Sequence, residues 1–144
     1  MNRAEQAAAL FKEGFSCSQA VFSVFAPDLG VDREKALKLA SAFGGGIGRT
    51  GETCGAVSGA IMAIGLKYGR TRGDDEETRE KTYALAREFM ERFGAKNDTT
   101  RCKDLLGVDI GTPEGLQKIR EDESYEEKCT GLVRDAVEIL EDML

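Results

Sequence analysis

Five glycines fall within the eight residues Gly44-Gly45-Gly46-Ile47-Gly48-Arg49-Thr50-Gly51. Such a run makes neither a helix nor an ordinary strand, because each glycine adds chain entropy that ordering must remove. The chain therefore has to turn here, between two segments whose apolar residues recur at helical spacing. Upstream, Ala36, Leu37, Leu39, Ala40 and Phe43 predict the inward face of a helix capped by Asp32. Downstream, Val57, Ala60, Ile61, Ile64 and Tyr68 predict another, with Thr53 as its N-cap and Cys54 as its first residue. Gly55, Gly59 and Ala63 recur every four residues along that second helix. They form a flat, small-residue face against which another backbone can pack closely. The expectation is a glycine-rich loop leading into the central helix of the fold.

The other segments carry the same period. A first helix is expected over 2–12, with Ala8, Phe11 and Phe15 near one face and Gly14 interrupting it. Ser16-Cys17-Ser18-Gln19 restarts a helix as a capping box, Ser at N-cap and Gln at N3. Val21, Phe22 and Phe25 supply its apolar stripe before Pro27-Asp28-Leu29-Gly30 closes it. Acidic residues at 74–77 open the longest helix, where they complement its dipole. That helix is expected to bury Tyr83, Ala86, Phe89, Met90 and Phe93 and to stop at Gly94. Asp98 or Thr99 is expected to cap a short helix through Cys102 to Leu106, and Pro113 to open another at N1. Ser124-Tyr125-Glu126-Glu127 reads as a second capping box before a final helix striped by Val133, Ala136, Val137, Leu140 and Met143. No segment alternates like a strand. The predicted fold is all-α, a single-domain bundle over 1–144 of about seven or eight helices.

Charge and composition exclude several classes of function. Against 20 basic side chains stand 26 acidic ones, a formal charge of −6. That surface repels phosphate backbones, so no nucleic acid is expected as a partner. There is no histidine, which removes Ser–His triads, Cys–His nucleophile pairs and His-based zinc sites. The longest mostly apolar stretch, 54–66, is well short of the roughly 20 residues needed to cross a bilayer, so no membrane insertion is expected. The early acidic residue Glu5 argues against a targeting segment. The expectation is a cytoplasmic protein, in a compartment where thiols are kept reduced.

Chemistry then falls to carboxylates, lysines, hydroxyls and four thiols, Cys17, Cys54, Cys102 and Cys129. Cys17 and Cys54 are predicted at helix position N1 and Cys102 at N3 or N4. Helix N-termini expose unpaired amides and partial positive charge, which stabilise a thiolate. Arg101 and Lys103 flank Cys102, and Lys128 precedes Cys129, pushing the same way. None of the four is close to another in sequence, so neither a thioredoxin-type dithiol nor a zinc ribbon is indicated. Facing helices can still gather distant residues into one site. The plainer reading is four inert thiols serving as small hydrophobes.

Gly46-Ile47-Gly48-Arg49-Thr50-Gly51 formally matches G-x-G-x-x-G. A dinucleotide fingerprint follows a strand, whereas here a helix ending near Phe43 precedes it. A Walker A loop also fails, with Phe43 where its first glycine belongs and Arg49 in place of lysine. Two readings remain for Gly46, Gly48, Arg49 and Gly51: a tight connection, or a cradle of loop amides and Arg49 for an anion or substrate beside Cys54.

Cys17 in Phe-Ser-Cys-Ser-Gln, the block Gly51-Glu52-Thr53-Cys54-Gly55-Ala56-Val57-Ser58-Gly59, and then Cys102 and Cys129 resemble the C_GCAxxG_C_C family of redox-active proteins. The resemblance covers essentially the whole chain and implies redox activity carried by the four cysteines. It supplies no substrate, reaction or cofactor.

The leading expectation is a thiol protein whose Cys17, Cys54, Cys102 and Cys129 converge for reversible disulfide chemistry, with Cys54 the most reactive. Its partner would be a redox protein or small molecule. The alternative is a four-cysteine metal or electron-transfer module holding zinc, copper or an iron–sulfur cluster. A third is a structural or interaction domain with inert thiols, and the small-residue face also fits a homodimer.

Overall fold

In the computed structural model, which describes residues Met1–Leu144, the side chain of Asn2 accepts the Glu5 amide and starts α1, Arg3–Lys12. Ser16 then opens α2, Cys17–Ser23, with the expected capping box: its hydroxyl accepts the Gln19 amide at 3.3 Å, and Gln19 Oε1 accepts the Ser16 amide at 3.0 Å. A 3-10 turn at Ala26–Leu29 ends on left-handed Gly30. Asp32 accepts the Lys35 amide at 2.9 Å and starts α3, Arg33–Ala40. After a second 3-10 turn, Ser41–Phe43, and a tight coil at Gly44–Ile47, the chain enters α4, Gly55–Tyr68. Then follow α5, Glu76–Asn97; α6, Cys102–Leu106; α7, Pro113–Glu121; and α8, Ser124–Met143. Eight α-helices and no sheet make the fold all-α, as the periodicity predicts. The lone β feature is an antiparallel bridge between Thr53 and Arg101.

The core forms where α2 packs on α4, α1 runs along α8, and α5 covers α4 and α8. Val21, Val57, Ile64, Phe89, Phe93, Val133, Val137 and Leu140 are all completely or almost completely buried. Each such side chain contributes about 1.5–3 kcal/mol on leaving water. The small-residue face does what its spacing predicts. A Cβ on Gly59 would lie 2.7 Å from the Ser18 carbonyl oxygen, and one on Gly55 would lie 3.1 Å from the Ser18 amide nitrogen. Two helix backbones thus meet with no side chain between them. Ser18 Oγ donates to the Ala40 carbonyl at 2.8 Å and ties α3 to the same contact.

Several local expectations are corrected. Thr53 does not cap α4: its backbone is occupied in the bridge to Arg101, so Cys54 takes the N-cap position. Gly94 does not stop α5, which continues to Asn97 and ends on left-handed Asp98. Nothing crowds Gly94, and one glycine costs a helix only about 1 kcal/mol, less than burial of Phe93 contributes. Leu39 and Tyr83 are more than half exposed, Met90 is also exposed, and Phe43 is only partly buried. Their helices lie on the outside and bury a narrower face than the apolar count suggests. Asp98 and Thr99 do not cap α6, because Arg101 stands at its N-cap, paired with Thr53. Ser124 likewise lies inside α8, with Glu123 at its N-cap, while Asp122 Oδ1 accepts the Ser124 amide at 2.9 Å.

Candidate functional site: four thiols on one cavity

The bridge between Thr53 and Arg101 joins two helix starts that are far apart in sequence. The Cys54 amide donates to the Thr100 carbonyl at 2.8 Å, the Cys102 amide to the Glu52 carbonyl at 2.6 Å, and the Lys103 amide to the Gly51 carbonyl at 3.1 Å. Cys54 at the N-cap of α4 and Cys102 at N1 of α6 are thereby held side by side. Cys17, at N1 of α2, comes up against the start of α4, where a Cβ on Gly55 would lie 3.2 Å from Cys17 Cβ. Cys129 approaches from the second turn of α8. All four cysteines, which are in the thiol form, line one cavity of about 310 Å³. Three thiols therefore sit at helix starts and the fourth does not.

Phe11, Leu105, Ile110, Leu116, Ile119 and Leu132 form the apolar wall. Arg49, Arg120 and Glu126 are the charged residues that reach the cavity. Glu52 is not among them: it pairs with Arg101 at 3.3 Å on the surface. No three Cys, Asp or Glu side chains are grouped, as they stand, in a way that could hold a metal ion.

Burial outweighs the helix termini in setting the acidity of the inner thiols. Loss of hydration pushes Cys54 up to about 11, although the amides of Ala56 and Val57 at the start of α4 favour its thiolate. Cys102 is pushed up to about 12, again chiefly by burial, with the neighbouring Cys54 and Cys129 adding to it. Cys17 and Cys129 behave as a pair. A side-chain hydrogen bond from Cys17 holds Cys129 below the usual thiol range, with Lys128 helping, although burial opposes it. The same hydrogen bond, together with burial, raises Cys17 well above that range. The acidic thiol is thus Cys129, whereas the sequence points to Cys54.

The glycine run has an unusual conformation. Gly45, Gly46, Ile47, Gly48 and Arg49 have φ of 66, 67, 69, 60 and 67°, a complete left-handed turn. Glycine adopts this freely, whereas Ile47 and Arg49 each pay about 1–2 kcal/mol for it. Space dictates the third glycine: a Cβ on Gly46 would lie 2.6 Å from the Glu52 amide nitrogen and 2.7 Å from Cys102 Cβ. Gly51, at φ 73°, packs on the Lys103 stem. The amides of Gly48, Arg49, Thr50, Gly51 and Glu52 donate to carbonyls of Ala42, Gly44, Ile47, Gly45 and Gly46. Those five amides are consumed in holding the turn and are not open to a ligand. The Arg49 side chain is the charged group that the loop brings to the cavity.

Sequence reasoning missed Arg120 and the wall supplied by Leu116 and Ile119. The sequence signal for α7 is an amphipathic face behind Pro113, which says that the helix docks but not where.

The chain is 28% identical over 138 residues, 90% of its length, to an uncharacterized protein of Archaeoglobus fulgidus, covering 85% of that protein. No solved structure matches it. Residues 15–143 match the family described as "Putative redox-active protein (C_GCAxxG_C_C)". That span contains all four cavity-lining thiols, and the chain belongs to the C_GCAxxG_C_C family.

Proposed function

We propose that the chain carries out reversible thiol–disulfide exchange, with Cys129 as the attacking thiolate and Cys17 as its resolving partner. The observation that carries this reading is that all four thiols line one cavity, and the opposed shifts of Cys129, downward, and Cys17, upward, support the order of attack. The Cys129 thiolate attacks one sulfur of a disulfide R–S–S–R′, forming a Cys129–S–R bond and expelling R′–S⁻. Cys17 is held protonated mainly by its hydrogen bond to Cys129. Once Cys129 is covalently engaged that cause is gone, though burial still raises Cys17; the Cys17 thiol gives its proton to the expelled R′–S⁻, and its sulfur attacks the Cys129 sulfur and expels R–S⁻, which takes a proton from water. Two electrons pass from the protein to the disulfide, and the two thiol protons end on the two released thiols. The reverse sequence oxidises a pair of thiols.

Cys54 and Cys102 stay protonated at neutral pH and take no part in the first attack. The cytoplasm, whose thiol pool keeps such a pair reduced, suits this chemistry.

The test begins with anaerobic purification, metal analysis and a thiol count on one sample. Metal-free protein that loses two thiols to a disulfide oxidant, with the new bond mapped to Cys17 and Cys129, is the expected result. Cys129→Ser should block this exchange, whereas Cys54→Ser should leave it. Stoichiometric zinc, copper or iron bound to protected thiols would replace this reading with a ligand site. Four metal-free thiols inert to oxidant would leave a structural domain.

A further inference from the structure

We infer that the cavity takes a small organic disulfide bearing a carboxylate or similar acid group, which Arg49 and Arg120 bind beside the thiols. This inference rests on the exchange reading for its chemistry. Its geometry is independent of that reading.

Most arginines of this acidic chain are satisfied within it. Arg3, Arg72, Arg79, Arg92, Arg101 and Arg134 each pair with a carboxylate, and Arg70 donates to the Gly73 carbonyl. Arg33, Arg49, Arg87 and Arg120 form no ion pair, and of these four only Arg49 and Arg120 line the cavity, with Glu126 its single carboxylate. The fold also goes to some length to put Arg49 there. A Cβ on Gly45 would lie 2.8 Å from Arg49 Cγ, so the arginine stem lies across bare glycine backbone. A Cβ on Gly111 would stand 3.0 Å from the Arg49 carbonyl oxygen. Arg49 itself is held at φ 67°, a conformation unfavourable for a side-chain-bearing residue.

The cavity's size and chemistry define the rest. At about 310 Å³ it stands at the lower end of the range for small-molecule sites. Its thiols sit on a concave surface, which favours a compact molecule over a protein's disulfide loop. Leu116 and Ile119 offer contact to methylene groups, and each guanidinium offers paired donors to an acid group. For such a disulfide, written R–S–S–R, the exchange balances as before. Reduced Cys17 and Cys129 become a disulfide, R–S–S–R becomes two R–SH, and two electrons and two protons pass from protein to ligand.

The test compares three symmetrical disulfides: 3,3′-dithiodipropionate, neutral bis(2-hydroxyethyl) disulfide and cationic cystamine. Each rate of protein thiol loss is normalised to that disulfide's reaction with a free small thiol. The acid should react fastest, at least about tenfold ahead of the cation. Arg49→Gln and Arg120→Gln should each slow the acid about tenfold and leave the neutral disulfide unaffected. Octanedioate, a carbon analogue with no disulfide, should bind wild type and Cys129→Ser alike by calorimetry, and bind both arginine variants more weakly. Equal normalised rates for acid and neutral disulfides would overturn acid selectivity while exchange stands. Absence of octanedioate binding, or a clear preference for a protein disulfide, would also overturn it. Failure of all three disulfides would overturn the exchange reading and this inference together.

Discussion

Gly59 lies so close to Ser18 that a Cβ at position 59 would stand 2.7 Å from the Ser18 carbonyl oxygen. Val21 Cβ would be 3.2 Å away on the other side. Backbone cannot yield as the end of a flexible side chain can, so Gly59→Ala must push α2 off α4. The expected cost is about 1–3 kcal/mol, read as a lower urea midpoint. One turn earlier, Gly55 faces Cys17, so the displaced helix would also carry Cys17 out of register with Cys129. Exchange should therefore slow in the folded variant. Unchanged stability would mean that the two backbones are not in contact.

Ile47 has φ of 69° and is nearly half exposed. Its branched side chain is costly in that conformation and buries little in return. Asparagine tolerates the left-handed region far better, so Ile47→Asn should stabilise the protein by about 1 kcal/mol. Thiol exchange should not change, because Ile47 does not line the cavity. Denaturant unfolding of the reduced protein checks this. A loss of stability would show that Ile47 makes apolar contacts worth more than its strain.

What was legible in the sequence was mostly local. Ser16 and Gln19 form a capping box three residues apart, and Gly55 and Gly59 share a helix face by spacing alone. The union of the four thiols was accessible through the family resemblance, since gaps of 37, 48 and 27 residues carry no such information. Their acidity was not legible. A sequence can mark a helix start, but how much water is excluded from Cys54 or Cys102 depends on what packs over them. Nor can it show that Cys17 and Cys129 share one cavity and shift in opposite directions. Arg120 escaped for the same reason, because an amphipathic α7 does not say which surface it covers. Thr53 misled because its capping propensity lost to a backbone bridge with a residue 48 positions later.

The shifted thiols make stability fall in alkali. Cys54 and Cys102 titrate near 11 and 12 in the fold, against 9.0 for an ordinary cysteine. Between these values the folded state binds more protons than the unfolded one, so unfolding becomes easier as pH rises. Their contribution is fully present below about pH 9 and is lost as pH climbs through the folded values. Each thiol should remove roughly 1 kcal/mol per pH unit across that window. Cys129 has the opposite shift and gains in the unfolding balance as pH rises from its lowered value towards 9.0. Anaerobic urea titrations at about pH 8 and about pH 10 measure the net effect. Replacing Cys102 with serine should flatten the fall. Exchange by Cys129 should, in contrast, reach half its maximal rate below pH 9.0, since its thiolate forms below the ordinary value. A midpoint at or above 9.0 would show an ordinary thiol.

Cys54 offers the sharpest separation of structure from chemistry. It stands at the N-cap of α4, where the amides of Ala56 and Val57 favour its thiolate although its sulfur makes no capping hydrogen bond. A serine oxygen is a better acceptor for those amides and among the preferred caps. Cys54→Ser should therefore leave stability within about 1 kcal/mol of wild type. Cys54→Val removes no capping hydrogen bond and, being close in size, should also stay within about 1.5 kcal/mol of wild type. Because Cys54 is held protonated up to about 11, neither change should slow the attack by Cys129 at neutral pH. Denaturant unfolding paired with the rate of thiol loss in each variant checks both halves. Exchange abolished in a Cys54→Ser protein of normal stability would move the nucleophile from α8 to the start of α4.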